Sequence, residues 1–145
     1  MGSSMFPWDS IFKDRRVIAG ACALSRNGLT TISPGYLQVF TAEEDFDGFS
    51  FGVGMYIYRD PIDYDNFVTP MKTNSNLLLP SRERSVVEFI LVDRWCDEGT
   101  LIEALKSYKQ WEENYTKLYH AAEFYGLSEK KLKYWIREAE TDVEI

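Results

Sequence analysis

The chain has few of the side chains that metal and redox sites use: among its 145 residues are two cysteines, Cys22 and Cys96, and one histidine, His120. The cysteines form no C-x-x-C pair, so the sequence indicates neither a zinc site nor a disulfide framework. A single histidine excludes a histidine-based metal cluster. We expect buried, reduced thiols, a structural His120 on a helix, and no catalytic residue, metal or cofactor.

Long apolar runs are also missing, and none reaches the roughly 18 residues that a membrane span needs. The N-terminus lacks the basic and apolar regions of a signal peptide. We therefore expect a cytoplasmic protein without membrane contact. Residues 1–4 look like a remnant of cloning ahead of Met5. Residues 5–145 are expected to form one domain, since 45% hydrophobic and 15% aromatic residues are ample for a single core.

Acidic residues outnumber basic ones by 23 to 16, and the formal net charge of −7 opposes non-specific attraction to nucleic acid. One region carries most of this excess, because residues 41–65 hold seven acidic side chains against a single arginine. The seven are Glu43, Glu44, Asp45, Asp47, Asp60, Asp63 and Asp65. We predict that they bind a basic partner protein.

Two metal-site interpretations of these acids are weaker. Asp45 and Asp47 match only the start of a calcium loop, because an EF-hand continues to a glutamate at its twelfth position. Asp60, Asp63 and Asp65 are oxygen ligands of the kind that Mg²⁺ uses. Three acids in a proline-containing loop are nevertheless more typical of exposed charge.

Hydrophobic periodicity predicts an α+β fold: an N-terminal helix, a small mainly antiparallel sheet, and a helical C-terminal half. The first helix is expected over Arg15 to Asn27, with Gly28 as its stop. Residues 36–58 are expected to form two adjacent antiparallel strands. The second of these alternates from Phe49 to Ile57 and should pack Phe51, Val53, Met55 and Ile57 beneath the C-terminal helices.

The remaining elements are predicted by apolar runs and their boundaries. Residues 59–76 indicate a loop with at most one edge strand, at Phe67-Val68. Leu77 to Leu79 indicate a strand, and Pro80 ends it. Four helices then follow, marked by apolar residues at 86–91, 101–108, 115–122 and 132–139. We expect Gly126 to end the third of them and Ser128 to cap the fourth.

The junction from Ser81 to Glu88 runs from strand to helix and reads Ser-x-Glu-Arg, followed by small and aliphatic residues and an acid. Ser81 is a good N-cap, and Glu83 favours the helix dipole. This segment resembles the signature of AbiE-type abortive-infection antitoxins, in which aspartate is more usual at the position of Glu88. The stretch Ala23 to Thr30 is similar to the small-apolar-x-x-Gly-Leu-Thr segment of the same family.

The resemblance covers roughly residues 15 to 140 and implies the C-terminal part of such an antitoxin, which counters a nucleotidyltransferase-like toxin. The family's N-terminal winged helix has no counterpart in these residues. The signature's serine, glutamate and arginine correspond to Ser81, Glu83 and Arg84. We interpret the three as scaffold residues, because capping and loop ion pairs account for them without a ligand.

Residues 118–137 have the parts of a helix-turn-helix: a small residue in the first helix, Gly126 at the turn, and a capped second helix. Lys130, Lys131, Lys133 and Arg137 against Glu129 give residues 129–137 a net charge of +3. This charge suits phosphate, but acidic residues follow at once and ordinary helical hairpins share the same turn chemistry. We favour a structural hairpin over a DNA reader.

Together these observations indicate a non-enzymatic antitoxin-like or inhibitory domain of bacterial or phage origin. It would bind a protein such as a nucleotidyltransferase-type toxin or another basic nucleic-acid enzyme. Three alternatives stay open: a phage-encoded acidic inhibitor of a nucleic-acid-handling complex, similar to an anti-CRISPR protein; a DNA-binding regulator that uses residues 118–137; and an uncharacterised enzyme.

Overall fold

The computed structural model describes residues 13–42, 48–50, 54–92 and 97–141, with the backbone alone for residues 48–50 and 54–56. These residues form the α+β fold that the sequence predicts. The strands are β1 (Arg16–Ile18), β2 (Gln38–Thr41), β3 (Gly48–Ser50), β4 (Gly54–Tyr58), β5 (Val68–Pro70) and β6 (Leu77–Pro80). The helices are α1 (Gly20–Arg26), α2 (Arg82–Leu91), α3 (Glu98–Trp111), α4 (Thr116–Tyr125) and α5 (Glu129–Thr141).

The first element among the described residues is a strand, so the predicted helix from Arg15 to Asn27 is wrong in its first third. Val17 and Ile18 belong to β1 and are fully buried. A short run buried on both faces satisfies helical spacing as well as strand spacing, and periodicity alone cannot separate the two. Gly20 makes the break between β1 and α1, with a φ of 60° that β-branched residues rarely adopt. The predicted stop at Gly28 is confirmed.

The sheet is mixed, with the strand order β3-β4-β2-β1-β6-β5. The predicted antiparallel pairing over residues 36–58 is wrong, because β2 and β4 are neighbours that run parallel. The antiparallel neighbour of β4 is β3. The segment predicted as one continuous strand therefore contains parts of two strands that run in opposite directions. Pairing partners are set by contacts distant in sequence, which local alternation does not record.

Of the four residues predicted to form the buried face of this segment, the structure describes the side chain of Ile57 alone. Ile57 is buried in the main core, as expected. Phe51 and Val53 lie outside the described residues, as does the side chain of Met55. The edge strand expected near Phe67-Val68 is confirmed as β5, which pairs antiparallel with β6.

Both faces of the central strands are covered. Val17, Phe40 and Leu78 contribute to the main core, together with the inner faces of the C-terminal helices. Their neighbours Ile18, Val39 and Leu77 form a second cluster with Cys22 and Ala23 of α1. Burial on both faces explains why these strands read as continuous apolar runs.

The helical C-terminal half is confirmed, together with its predicted boundaries. The backbone N–H of Arg84 donates to Ser81 Oγ at 3.1 Å, and the N–H of Lys131 donates to Ser128 Oγ at 3.1 Å. Gly126 ends α4 in the left-handed conformation, with a φ of 79°. Among the described helices, none is both long and apolar enough to cross a membrane.

Candidate functional site

The first turn of α2 carries a buried arginine into the interior of the molecule. Arg84 has a relative exposure of 0%, and its guanidinium points toward the loop that follows β4. Nη1 donates to the carbonyl oxygen of Asn66 at 2.8 Å, and Nη2 donates to that of Asp63 at 2.8 Å. The guanidinium also lies over the ring of Tyr125, 5.2 Å from its centroid. Arg84 therefore binds a loop that is about twenty residues away in the sequence.

One turn further along α2, Glu88 is shared between two arginines. Its Oε1 lies 3.2 Å from Arg84 Nε, an ion pair whose geometry falls short of a hydrogen bond. Its Oε2 accepts a hydrogen bond from Arg59 Nη1, and the Arg59 guanidinium lies over the ring of Phe40. Glu88 is itself buried. A buried carboxylate requires such partners, because an unpaired charge in the interior is costly.

Arg59, Arg84 and Glu88 form what we call the clamp, and residues 60–66 form the acidic loop. Arg59 immediately precedes the acidic loop, and Arg84 binds backbone carbonyls within it. Glu88 joins the two arginines. The clamp thus fixes the loop at its start and along its second half.

Asp63 folds back into the acidic loop and does not face solvent as a free charge. Its Oδ1 accepts the backbone N–H groups of Asp65 and Asn66 at 2.9 and 3.2 Å, and its Oδ2 accepts the Tyr125 hydroxyl at 2.8 Å. Burial raises the pKa of Asp63, but these hydrogen bonds and the charge of Arg84 lower it by more, so the net pKa lies below the ordinary value. Burial, together with the hydrogen bond to Asp63, raises the pKa of Tyr125.

This pKa shift makes a testable contribution to stability. A depressed carboxyl pKa stabilises the fold above the unfolded-state pKa, and that stabilisation is lost as the pH falls through the folded-state pKa. We expect Asp63→Asn to be destabilising at pH 7, with a difference from the parent protein that shrinks below the ordinary value of 3.8. Urea unfolding at pH 7 and pH 3 measures this difference. The exposed Asp60→Asn is the control, and an equal pH dependence in both variants would contradict this role of Asp63.

The other described acids of the loop face outward. Asp60 and Asp65 are exposed. Asp65 pairs with Arg15 at 3.4 Å, and the two side chains have relative exposures of 82% and 51%. Of the loop acids that are predicted to bind a partner, Asp60 and Asp65 are therefore exposed, whereas Asp63 has partners inside the fold. Their binding to a partner stays a prediction. Glu43, Glu44, Asp45 and Asp47 lie outside the described residues.

Ser81 and Glu83 have internal partners, in keeping with their interpretation as scaffold. Ser81 caps α2. Glu83 accepts a hydrogen bond from the hydroxyl of the buried Tyr108 at 2.9 Å, which ties α2 to α3. Burial and this contact with Glu83 raise the pKa of Tyr108. These residues are therefore built into the fold.

The basic side chains of α5 are exposed, as the helix-turn-helix interpretation requires. They are Lys130, Lys131, Lys133 and Arg137. Lys133 pairs with Glu129 at 3.4 Å across one turn. The opposite face of α5 is apolar, with Leu132, Ile136 and Ala139 buried and Trp135 half-buried.

His120 lies exposed on α4, with its ring 6.1 Å from that of Phe67. Within the described ranges, no group of three or more histidine, cysteine, aspartate or glutamate side chains has an arrangement that suits a metal ion. Asp60, Asp63 and Asp65 form no such group, because Asp63 turns inward.

Sequence reasoning missed the clamp and the contacts of Asp63 inside the loop. The sequence contains part of the information: Arg84 and Glu88 have the i, i+4 spacing of a helical ion pair. Arg59 is also the only basic residue within residues 41–65. Arg59 and Glu88 are joined by a tertiary contact across 29 positions of the sequence, which no local pattern predicts. No protein-family model matches the chain, and no curated protein matches it significantly.

Proposed function

We propose that this chain is a non-enzymatic, antitoxin-like inhibitory domain that binds a basic face of a partner protein through its acidic loop. The observation that carries the proposal is the clamp. Arg84 binds two backbone carbonyls of the acidic loop, Glu88 links Arg84 to Arg59 at the start of the loop, and Asp60 and Asp65 are exposed.

Preorganisation is the physical reason that this arrangement suits binding. A loop that is already ordered loses little conformational entropy when a partner docks, so its contacts contribute more fully to affinity. Exposed carboxylates on such a loop attract a basic surface over several ångströms and increase the rate of encounter. The loop therefore suits a partner whose own function requires positive charge, such as an enzyme that handles nucleic acid.

The antitoxin assignment rests on the resemblance at residues 23–30 and 81–88, which favours a nucleotidyltransferase-type toxin as the partner. A cytoplasmic protein of bacterial or phage origin fits that role. A phage-encoded acidic inhibitor similar to an anti-CRISPR protein would use the same binding chemistry on a different target. The two assignments therefore differ in the identity of the captured protein.

An affinity pull-down from the native host tests the proposal. The full chain should capture a basic nucleic-acid enzyme, and the Asp60→Asn/Asp65→Asn double variant should capture much less of it. Glu113→Gln/Glu138→Gln is a matched control, because it removes two exposed charges that lie outside the acidic region. Capture of a nucleotidyltransferase supports the antitoxin, and capture of a nucleic-acid-handling effector complex supports the inhibitor. Equal recovery by both double variants would contradict a role for the acidic loop.

The exposed basic face of α5 favours a second candidate, a DNA-binding regulator. We expect no sequence-selective duplex binding at physiological salt, because a net charge of −7 opposes it and Glu138 and Glu140 follow directly on the same helix. Fluorescence anisotropy with a panel of duplexes measures this. Selective binding that the Lys130→Ala/Lys131→Ala/Lys133→Ala variant abolishes would make the regulator the leading account.

A further inference from the structure

Besides Arg84, the acidic loop contacts a second guanidinium group of its own chain, that of Arg15. Arg15 Nη1 lies 3.4 Å from Asp65 Oδ1, and Arg15 Cζ lies 4.5 Å from the centroid of the Tyr64 ring. An aromatic face beside a carboxylate is the combination that recognises arginine, because the planar cation stacks on the ring while its N–H groups meet the acid. Tyr64 and Asp65 are adjacent in the sequence and together form this pair.

The two halves of the pair are held in place by the fold. Tyr64 is half-buried and packs against the main core, so its ring has a fixed position. The backbone N–H of Asp65 donates to Asp63 Oδ1 at 2.9 Å, and Asp63 in turn accepts the Tyr125 hydroxyl. The Tyr64 ring and the Asp65 backbone are therefore preorganised, while the Asp65 carboxylate itself is exposed.

Arg15, in contrast, is held weakly. It lies in the segment before β1, and its side chain is 51% exposed. Exposed ion pairs of this kind contribute little to stability and are screened by salt. A competing guanidinium can replace Arg15 at small cost.

We propose that Tyr64 and Asp65 form an arginine-binding subsite that Arg15 occupies in the free protein and that an arginine side chain of the partner takes over on binding. This inference rests on the proposed function and names the residue type that the acidic loop recognises. Arginine fits better than lysine, because the stacked geometry uses a planar cation, which the compact ammonium group of lysine does not provide. Arg15 then acts as an internal competitor.

The test is a titration of the isotope-labelled full chain with octa-arginine and, separately, octa-lysine, followed by NMR. We expect Arg15→Gln to bind octa-arginine about two- to fivefold more tightly than the parent protein, the range expected for loss of one exposed stacked ion pair. Shifts should centre on Tyr64 and Asp65. The gain with octa-lysine should be smaller, and Asp65→Asn should lose the preference for arginine.

Lys13→Ala is the matched control, since it removes one exposed positive charge two residues away and leaves the subsite intact. An equal gain from Lys13→Ala, or equal gains with both peptides, would overturn the subsite in favour of general charge attraction. Concentration-dependent self-association of Arg15→Gln would overturn the proposed occupant in favour of a second copy of this chain. The pull-down separates the two proposals, because its failure rejects the proposed function even where the peptide preference holds.

Discussion

Replacing Arg84 with alanine should lower the free energy of unfolding by about 3–5 kcal/mol, the range for removing one partner of a buried ion pair. The truncation leaves Glu88 buried with Arg59 alone, and it removes the donors to the carbonyl oxygens of Asp63 and Asn66. Each unsatisfied buried acceptor adds to the cost. Urea unfolding followed by tryptophan fluorescence measures the change.

Arg82→Ala is the matched control for this variant. Arg82 is the neighbouring arginine of the same helix, is half-buried, and lies over the exposed ring of Trp111, 4.4 Å from its centroid. We expect it to cost about 1 kcal/mol or less. Equal losses for Arg82→Ala and Arg84→Ala would mean that the clamp contributes no special stability.

Arg84→Lys is a milder variant, which can be measured if the Arg84→Ala variant does not fold. Lysine keeps the positive charge, but one ammonium group cannot reproduce the planar fork that reaches both loop carbonyls and Glu88. We expect a folded protein in which amide hydrogen exchange is faster at Asp65 and Asn66. Their amide hydrogens donate to Asp63 in the intact loop. Unchanged exchange there would show that the loop does not need the clamp.

The helices could be predicted well from the sequence because their determinants are local. Ser81, Gly126 and Ser128 act within one turn of their own helix ends, and the apolar residues of α5 repeat at the spacing of a single helix. The α+β class follows from where strand-like and helix-like segments occur along the chain.

The sheet could be predicted only in part. The sequence pattern predicts strands near 38–41, 54–58 and 77–80. The parallel pairing of β2 with β4 depends on tertiary contacts, which a local sequence pattern does not predict. The sequence of β1 predicts the start of a helix, because three buried residues carry too little periodicity to distinguish a strand from a helix.

For the candidate site, the sequence predicts several of the residues but not the contacts between them. The sequence indicated Asp60, Asp63 and Asp65 as one acidic group, and Arg84 separately as part of a signature. Only the fold shows that Arg84 organises the loop, and that Asp63 serves the loop's interior while Asp60 and Asp65 face out.

A second large effect is expected in the kinetics of association, once the partner is in hand. Neutralising the exposed loop acids Asp60 and Asp65, together with four further acids of the region, should slow association about tenfold or more at low ionic strength. The four are Glu43, Glu44, Asp45 and Asp47. Asp63 is kept, because its carboxylate has partners inside the loop. Dissociation should change less, because exposed charges act mainly on encounter.

The Glu113→Gln/Glu138→Gln variant again serves as the control. It removes as many charges as Asp60→Asn/Asp65→Asn without touching the acidic region, so for that double variant it separates local steering from the effect of total charge. Unfolding measurements on each variant confirm that the fold is intact before rates are compared.

The most direct test of the central claim is the association rate constant of the partner with the parent protein and with Asp60→Asn/Asp65→Asn, measured from about 0.01 to 0.15 M salt, a range over which screening increases strongly. We expect the parent protein to associate more slowly as salt increases, and the double variant to start lower with a flatter dependence. Identical rate constants and identical salt slopes for the two proteins would contradict the account, and would mean that the acidic loop serves solubility alone.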